Sequence, residues 1–467
     1  MMRWFPVFVC LVACGPVKGN VPDDGPLSDG PDEPTRELVV ESRATPIRNV
    51  DVLVVIDDSG TMFDKQTTLA NNFGKFVQAL ETIPGGLPDL HLGVITTDVG
   101  TKGSGNAMPA DDIGAAGQGG CSGTGDGGNL TVGQATTITG NFVSDIKLPD
   151  GSRQRNYSDA DLATVFGNMA KVGTFGCGFE QPLHAMRRAL ENNPQNPGFL
   201  RTDAILAVLF LTDEDDCSVR DPALFGPESA TLGPLQSFRC TRFGVTCAVG
   251  GQTPNEMNQI GLKEQCAAST DDTLLDPVAP FHDFLVGLKA DPSQVIVGGI
   301  IGTPTPVEVE LVAPPGAGPP QPTLSHSCSN IVNGIDQPGD PGVRLKSFFD
   351  LFPNRNTFTS ICQNDFTEAV EGTANLIAQT AGTPCISKPL VDIDTAAPGI
   401  QADCIVEDSL GTNVTIIAEC DSSSTPTCWR LAKDAVTCPL FDNLRLEVVR
   451  EGTIPPQTVT RARCIVQ

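Results

Sequence analysis

The chain has 467 residues, enough for two or three domains, and 40% of them are apolar, which supplies real cores and excludes wholesale disorder. Acidic residues outnumber basic ones 56 to 30, for a net charge of −26, which argues against a nucleic-acid binder and suits a surface that binds cations. With 48 Gly and 38 Pro but only one Tyr and two Trp, long structured loops around modest cores are expected.

The first fourteen residues read as a targeting segment. Arg3 gives a minimal positive start, and Trp4 to Ala13 is an apolar run far too short to span a bilayer as a helix. It ends in Leu11-Val12-Ala13-Cys14, which resembles the bacterial lipobox, so Cys14 is the expected lipidation site and the first residue of the mature chain. Residues 15–45 read as a flexible acidic tether, with Asp23, Asp24, Asp29, Asp32 and Glu33 among Gly and Pro. No later segment has 18 uninterrupted apolar residues, so membrane attachment is expected through lipid alone.

From residue 46 the pattern is α/β. Val52–Ile56 is a continuous apolar run, as in a strand buried on both faces of a parallel sheet. Residues 65–82 have helical spacing, and Leu90–Thr97 reads as a second strand. Residues 100–155 read as a Gly-rich insertion held by Cys121. Helices are expected near 159–171 and 180–192, separated by the turn Gly173-Thr174-Phe175-Gly176-Cys177-Gly178. Ala204–Leu211 is another central strand. Residues 216–280 read as a second insertion, stapled by Cys217, Cys240, Cys247 and Cys266. A helix at 281–288, a strand at 295–301, a Pro-rich loop at 303–325, a helix near 342–352, a strand near 356–361 and a helix near 366–380 close the region at residue 384. Strands alternating with helices predict a doubly wound, mostly parallel sheet flanked by helices. Residues 385–467 read as a cysteine-rich β module.

Leaving out Cys10 in the leader and Cys14, fourteen cysteines remain, eight from Cys121 to Cys362 and six from Cys385 to Cys464. No C-x-x-C pair occurs and there are only four His, so zinc-ligand spacing is missing and disulfides closed within each region are the economical explanation. A direct Cys177–Cys217 bridge is one pairing that would stiffen the loops around the site described next.

That site follows the first strand, at Asp57-Asp58-Ser59-Gly60-Thr61-Met62. D-x-S-x-T after a buried strand places a carboxylate and two hydroxyls at the carboxyl edge of a parallel sheet, where ligands bind in open α/β folds. Such hard oxygen donors suit Mg²⁺, Mn²⁺ or Ca²⁺ rather than zinc. The segment resembles the metal-ion-dependent adhesion site (MIDAS) of von Willebrand factor A (VWA) and integrin I domains. The resemblance implies a Rossmann-like VWA fold over residues 46–384 and a divalent ion, Mg²⁺ first with Mn²⁺ or Ca²⁺ as alternatives. Asp57, Ser59 and Thr61 match the family's first loop residue for residue. Asp213, in Leu211-Thr212-Asp213-Glu214, matches the third-loop Asp, with Glu214 where the family usually has Gly. Thr174 is the expected second-loop ligand. Aligning instead on the following helix puts Cys177 at that position, with Glu180 as a substitute. The run Asp213–Asp216 reads as a solvated loop beside the metal, and His184 as a helix-surface residue.

The function this implies is adhesion by a surface or envelope lipoprotein. It would grip a protein or carbohydrate ligand whose acidic group completes the metal's coordination. The lipid-anchored, cysteine-rich form resembles VWA adhesins on the surface of gliding bacteria. Gly15 after Cys14, rather than Asp, leans toward the outer membrane. The alternative is a periplasmic scaffold subunit in which the same domain docks a partner. No G-x-S-x-G elbow, H-E-x-x-H or P-loop is present, so no enzymatic activity is expected.

Overall fold

The computed structural model describes residues 37–467, apart from 44–46, 84, 106, 116–118, 228–229, 314–317, 333, 383–384, 387, 398, 422–426, 435–437, 439–440, 453 and 456–457. The expected leader, Cys14 and most of the tether lie outside the described residues.

Glu37–Arg43 forms β1 and Asn49–Ile56 forms β2. Helix α1 (Phe63–Glu81) leads to β3 (Asp89–Thr96). Two short strands follow, β4 (Val143–Lys147) and β5 (Arg153–Arg155), then helices α2 (Leu162–Met169) and α3 (Pro182–Leu190), and β6 (Ile205–Thr212). The next insertion holds α4 (Phe238–Gly244), β7 (Val245–Val249), α5 (Pro254–Met257) and β8 (Gly261–Ala268). Helix α6 (Ala279–Gly287) and β9 (Val295–Ile301) precede β10 (Val307–Val312), β11 (Gln321–Leu324), β12 (Cys328–Val332) and β13 (Ile335–Gly339). Then come α7 (Val343–Phe349), β14 (Asn356–Ser360) and α8 (Thr367–Ala381). The rest is β: β15 (Cys404–Leu410), β16 (Asn413–Ile417), β17 (Cys428–Lys433), β18 (Leu444–Val449) and β19 (Val459–Ile465).

The main sheet has seven strands in the order β14-β9-β6-β2-β3-β4-β5. Its first five are parallel, and β4 and β5 add antiparallel at one edge. The alternation of β2 shows why the sheet is wound on both sides. Val50, Val52, Val54 and Ile56 pack with α1, α2 and α8, whereas Leu53 and Val55 pack with α3, α6 and α7. A strand covered on both faces needs apolar residues at every position, which is what Val52–Ile56 provides. On α1, Leu69, Phe73, Phe76 and Leu80 are buried at helical spacing. Gly302 follows β9 because a Cβ there would lie 1.8 Å from the Asp340 carbonyl oxygen. That close approach holds Asp340 beside the third loop, where its N–H donates to Asp213 O at 2.7 Å.

Three expectations change. The irregular stretch 100–155 supplies β4 and β5, and the Pro-rich stretch 303–325 supplies β10 and β11, which join β8 and β7 in a second sheet. In β10 the period is two, with Val307 and Val309 buried and Glu308 and Glu310 exposed. Glu37–Arg43, expected in the tether, pairs with β19, and its Leu38 and Val40 enter the core of the C-terminal β region. All fourteen cysteines after Cys14 pair, and none of the seven bridges links the two groups. The direct Cys177–Cys217 bridge is not formed: Cys177 pairs with Cys121 and Cys217 with Cys240. Among the described residues no helix is long and apolar enough to cross a membrane.

Candidate metal site

Strand β2 stops at Ile56, but the ladder runs one residue further, with Asp57 N donating to Leu211 O at 2.9 Å. Thr97 N donates to Ile56 O, so Asp57 is fixed at the carboxyl edge between β6 and β3. The chain then turns sharply. Ser59 N donates to Asp57 Oδ1 at 2.7 Å and Met62 N to Ser59 O at 3.2 Å, which delivers the chain into α1. Thr212 Oγ1 donates to the other Asp57 oxygen at 2.7 Å. The Ser59 and Thr61 hydroxyl oxygens stand 3.4 Å apart, close to the spacing of adjacent ligands on one hard cation, roughly 3 Å for metal–oxygen bonds of ~2.1 Å. Asp213 is buried, and its Oδ2 is paired with the Lys65 ammonium, which also donates to Pro338 O. The structure thus brings Asp57, Ser59, Thr61 and Asp213 to one end of the sheet.

The second loop is tied to this end at two points. Gln66 Nε2 donates to both Asp57 O and Gly173 O, and Gly176 N donates to Asp58 O at 2.9 Å. Gly176 is required there, because a Cβ would lie 2.2 Å from the Asp58 carboxylate carbon. Thr174 lies between these ties, partly exposed, and no hydrogen bond among the described residues links its hydroxyl to Asp57, Ser59, Thr61 or Asp213. Glu180 is the loop's buried carboxylate: it is fully buried, and its Oε2 accepts from Thr97 Oγ1.

Negative charge is concentrated at this edge. Burial, then Asp213, pushes Asp57 up to about 7. Burial, then Asp57, Asp98 and Asp126, pushes Asp58 up to about 8. Glu180 is held well above the usual carboxylate range by burial, then by Asp57 and Asp58. Glu214 keeps some solvent exposure and is raised by desolvation, then by Asp340, Asp213 and Asp57. Among the described residues, five buried side-chain polar atoms have no protein partner, and three are carboxylate oxygens of this cluster: Asp58 Oδ1, Glu180 Oε1 and Asp213 Oδ1. Buried acceptors without partners are costly, so such a group calls for a missing positive charge or donor. No three His, Cys, Asp or Glu side chains among the described residues form a ready metal cage. The donors that fit a divalent ion are of another composition: two hydroxyls, from Ser59 and Thr61, and the free oxygens of Asp213 and Glu180. They are all hard oxygens.

Two other readings need correction. Asp215 and Asp216 are buried, not solvated. Asp215 accepts from the backbone N–H groups of Arg344 and Leu345 at the start of α7, and Asp216 pairs with the Arg344 guanidinium at 2.9 Å. His184 is buried rather than on the helix surface, with Nε2 2.7 Å from Asp276 and Nδ1 3.0 Å from Gln181. Lys65 and Asp58 carried no weight in the sequence. Lys65 had a signal nonetheless, since it falls on the buried stripe of α1.

No family model matches the chain, and no curated protein matches it. Among solved structures it is similar to the pilus adhesin SpaC from Lactobacillus rhamnosus GG in its open conformation, with TM-score 0.31, 10% identity, and 92% of this chain and 40% of that chain covered. The pilus adhesin RrgA from Streptococcus pneumoniae aligns with TM-score 0.24 and 12% identity over 92% of this chain and 58% of that one. The human COPII-coat protein Sec24c aligns with TM-score 0.30 and 8% identity over 95% and 48%. The chain spans 40% to 58% of the length of these structures.

Proposed function

We propose that this is a binding protein of the VWA type, in which a divalent cation at the carboxyl edge of the main sheet captures an acidic group of a protein or carbohydrate ligand. The observation that carries the reading is the set of buried carboxylate oxygens without protein partners, on Asp213, Glu180 and Asp58, around the D-x-S-x-T turn. Ser59, Thr61, Asp213 and Glu180 would hold the ion, with Mg²⁺ the first choice. Asp57 acts through its bonds to Ser59 N and Thr212, which fix the turn and the third loop. When bound, the cation would offer an open position that an incoming carboxylate fills. In the second loop we favour Glu180 over Thr174, because Glu180 is buried with a free oxygen and Thr174 is partly exposed. Adhesion at the cell surface, lipidation of Cys14 and outer-membrane placement belong to the same proposal and rest on Leu11–Gly15 and the resemblance.

A scaffold role without metal is the second reading. It is favoured by the Lys65 ammonium on Asp213, which already neutralises one carboxylate of the set. Calorimetric titration of Mg²⁺, Mn²⁺ and Ca²⁺ into EDTA-treated protein separates the two. The expected result is binding by wild type, none by Asp57→Ala or Asp213→Ala, a loss of roughly tenfold or more in Glu180→Gln, and little change in Thr174→Ala. Silence toward all three ions, in wild type and also in a variant whose Lys65 charge is removed, would leave the scaffold.

A further inference from the structure

We propose that Lys65 is a tethered cation that competes with the divalent metal for Asp213 and so sets the metal concentration at which the site loads. The inference rests on the metal reading above and adds its regulation.

Lys65 lies in the first turn of α1, on the buried stripe that continues through Leu69, Phe73, Phe76 and Leu80. That stripe ordinarily takes apolar side chains. An ammonium only 3% exposed survives there only if it is paired and hydrogen-bonded. Lys65 has both kinds of partner, Asp213 Oδ2 and, at 2.8 Å, the Pro338 carbonyl of β13. Its position is therefore fixed, and it is fixed on one of the carboxylates that would hold the metal. The other oxygen of the same carboxylate has no protein partner.

A divalent ion drawn to Asp213 would stand beside this ammonium where water screens little, and like charges at such range repel strongly. Binding then requires Lys65 to retreat or proceeds at a lasting disadvantage. A retreat has a destination: Asp340 stands next to Asp213, its N–H donating to Asp213 O, and its carboxylate accepts a hydrogen bond from His326 Nδ1 at 2.6 Å. Lys65 occupies only one carboxylate of the cluster: Asp57, Asp58 and Glu180 have no Lys or Arg ion pair among the described residues. Metal is thus still drawn in, but against a resident competitor. The device would keep the site metal-free at low divalent concentration without leaving Asp213 wholly uncompensated.

The test is titration of Mg²⁺ and Mn²⁺ into EDTA-treated full-length wild type, Lys65→Met and Lys65→Gln. Met keeps the length of the buried chain without charge, and Gln keeps a donor for Pro338 O, so at least one variant should fold, as checked by thermal melting. Both are expected to bind metal about tenfold more tightly than wild type or better, which is a gain of ~1.4 kcal/mol or more. Adding Asp57→Ala should abolish the gain, which ties it to this site. Binding by Lys65→Met with none by wild type would support the proposal in its strongest form. If wild type binds and both folded variants bind equally or more weakly, Lys65 assists the metal and the proposal fails, while the metal reading stands. If no form binds, the metal reading fails and takes this proposal with it.

Discussion

Asp57 shows how burial and a neighbouring carboxylate act together on one residue of the site. Its carboxylate is fully buried and sits close to Asp213, and these two causes push it up to about 7, against an ordinary value of 3.8. Asp58 is pushed further, to about 8. Both values in the folded protein lie above those of the unfolded chain, so the folded protein holds protons that the unfolded one releases. The stability this lends is fully present below the unfolded value and is lost as pH rises through 7 and 8. A divalent cation would take the place of those protons. The metal-free protein should therefore melt at progressively lower temperature between roughly pH 5 and pH 8. Saturating Mg²⁺ should restore the loss at the upper end and do little at the lower. Asp57→Asn, which cannot ionise, should flatten the metal-free profile. Scanning calorimetry across that range is the measurement, and a wild-type profile with the same slope as that of Asp57→Asn would mean that Asp57 stores no such strain.

At the level of elements, the third loop does more than present Asp213. The same run grips α7 through Asp215 on its first N–H groups and Asp216 on Arg344, a guanidinium 1% exposed. Truncating one partner of a buried pair leaves the other charge uncompensated, at a cost of about 3–5 kcal/mol. Arg344→Met should lower stability by that order in urea denaturation. Adding Asp216→Asn should recover part of the loss, and a loss under about 1 kcal/mol for the single variant would show the pair to be dispensable. This loop also shows what sequence can and cannot disclose. Strands β2 and β6 were legible because burial on both faces demands unbroken apolar runs, and α1 because its stripe repeats at helical spacing. The first loop was legible because its donors are consecutive, within Asp57–Thr61. Strands β4, β5, β10 and β11 were not, because they are short and lie among Gly and Pro. Asp215 and Asp216 looked like a solvated acidic run because their partner, Arg344, lies more than a hundred residues away. The second loop was harder to read for a related reason: its position is set by the ties Gln66–Gly173 and Asp58–Gly176, and neither is a local pattern.

On the scale of the whole molecule, the C-terminal β region depends on a strand from the other end of the described chain. Strand β1 pairs with β19 over seven residues, from Glu37↔Ile465 to Arg43↔Val459, and the sheet continues through β15 to β16. Without β1, β19 would be an edge with unpaired backbone groups, and the core around Val406, Ala462 and Cys464 would lose Leu38 and Val40. Glu41 on the same strand pairs with Arg461 of β19 and with Arg355, which lies just before β14 of the main sheet. The apolar core of this region shares no residues with the two cores that cover the main sheet. Damage to it should therefore stay local. Val40→Asp places a carboxyl at a fully buried site in this apolar core and should be strongly destabilising to it. The variant should lose protease resistance across residues 385–467 under conditions in which the main sheet stays protected. Its metal affinity should equal that of wild type, since Asp57, Ser59 and Asp213 stand on the loops after β2 and β6, and Glu180 on the loop before α3. If limited proteolysis instead cuts the main sheet and the β region at the same rate, the two unfold as one cooperative body. The Glu41–Arg355 contact, at the amino edge of the main sheet, would then be one link between the two, and substitutions in either would have to be read as changes to both.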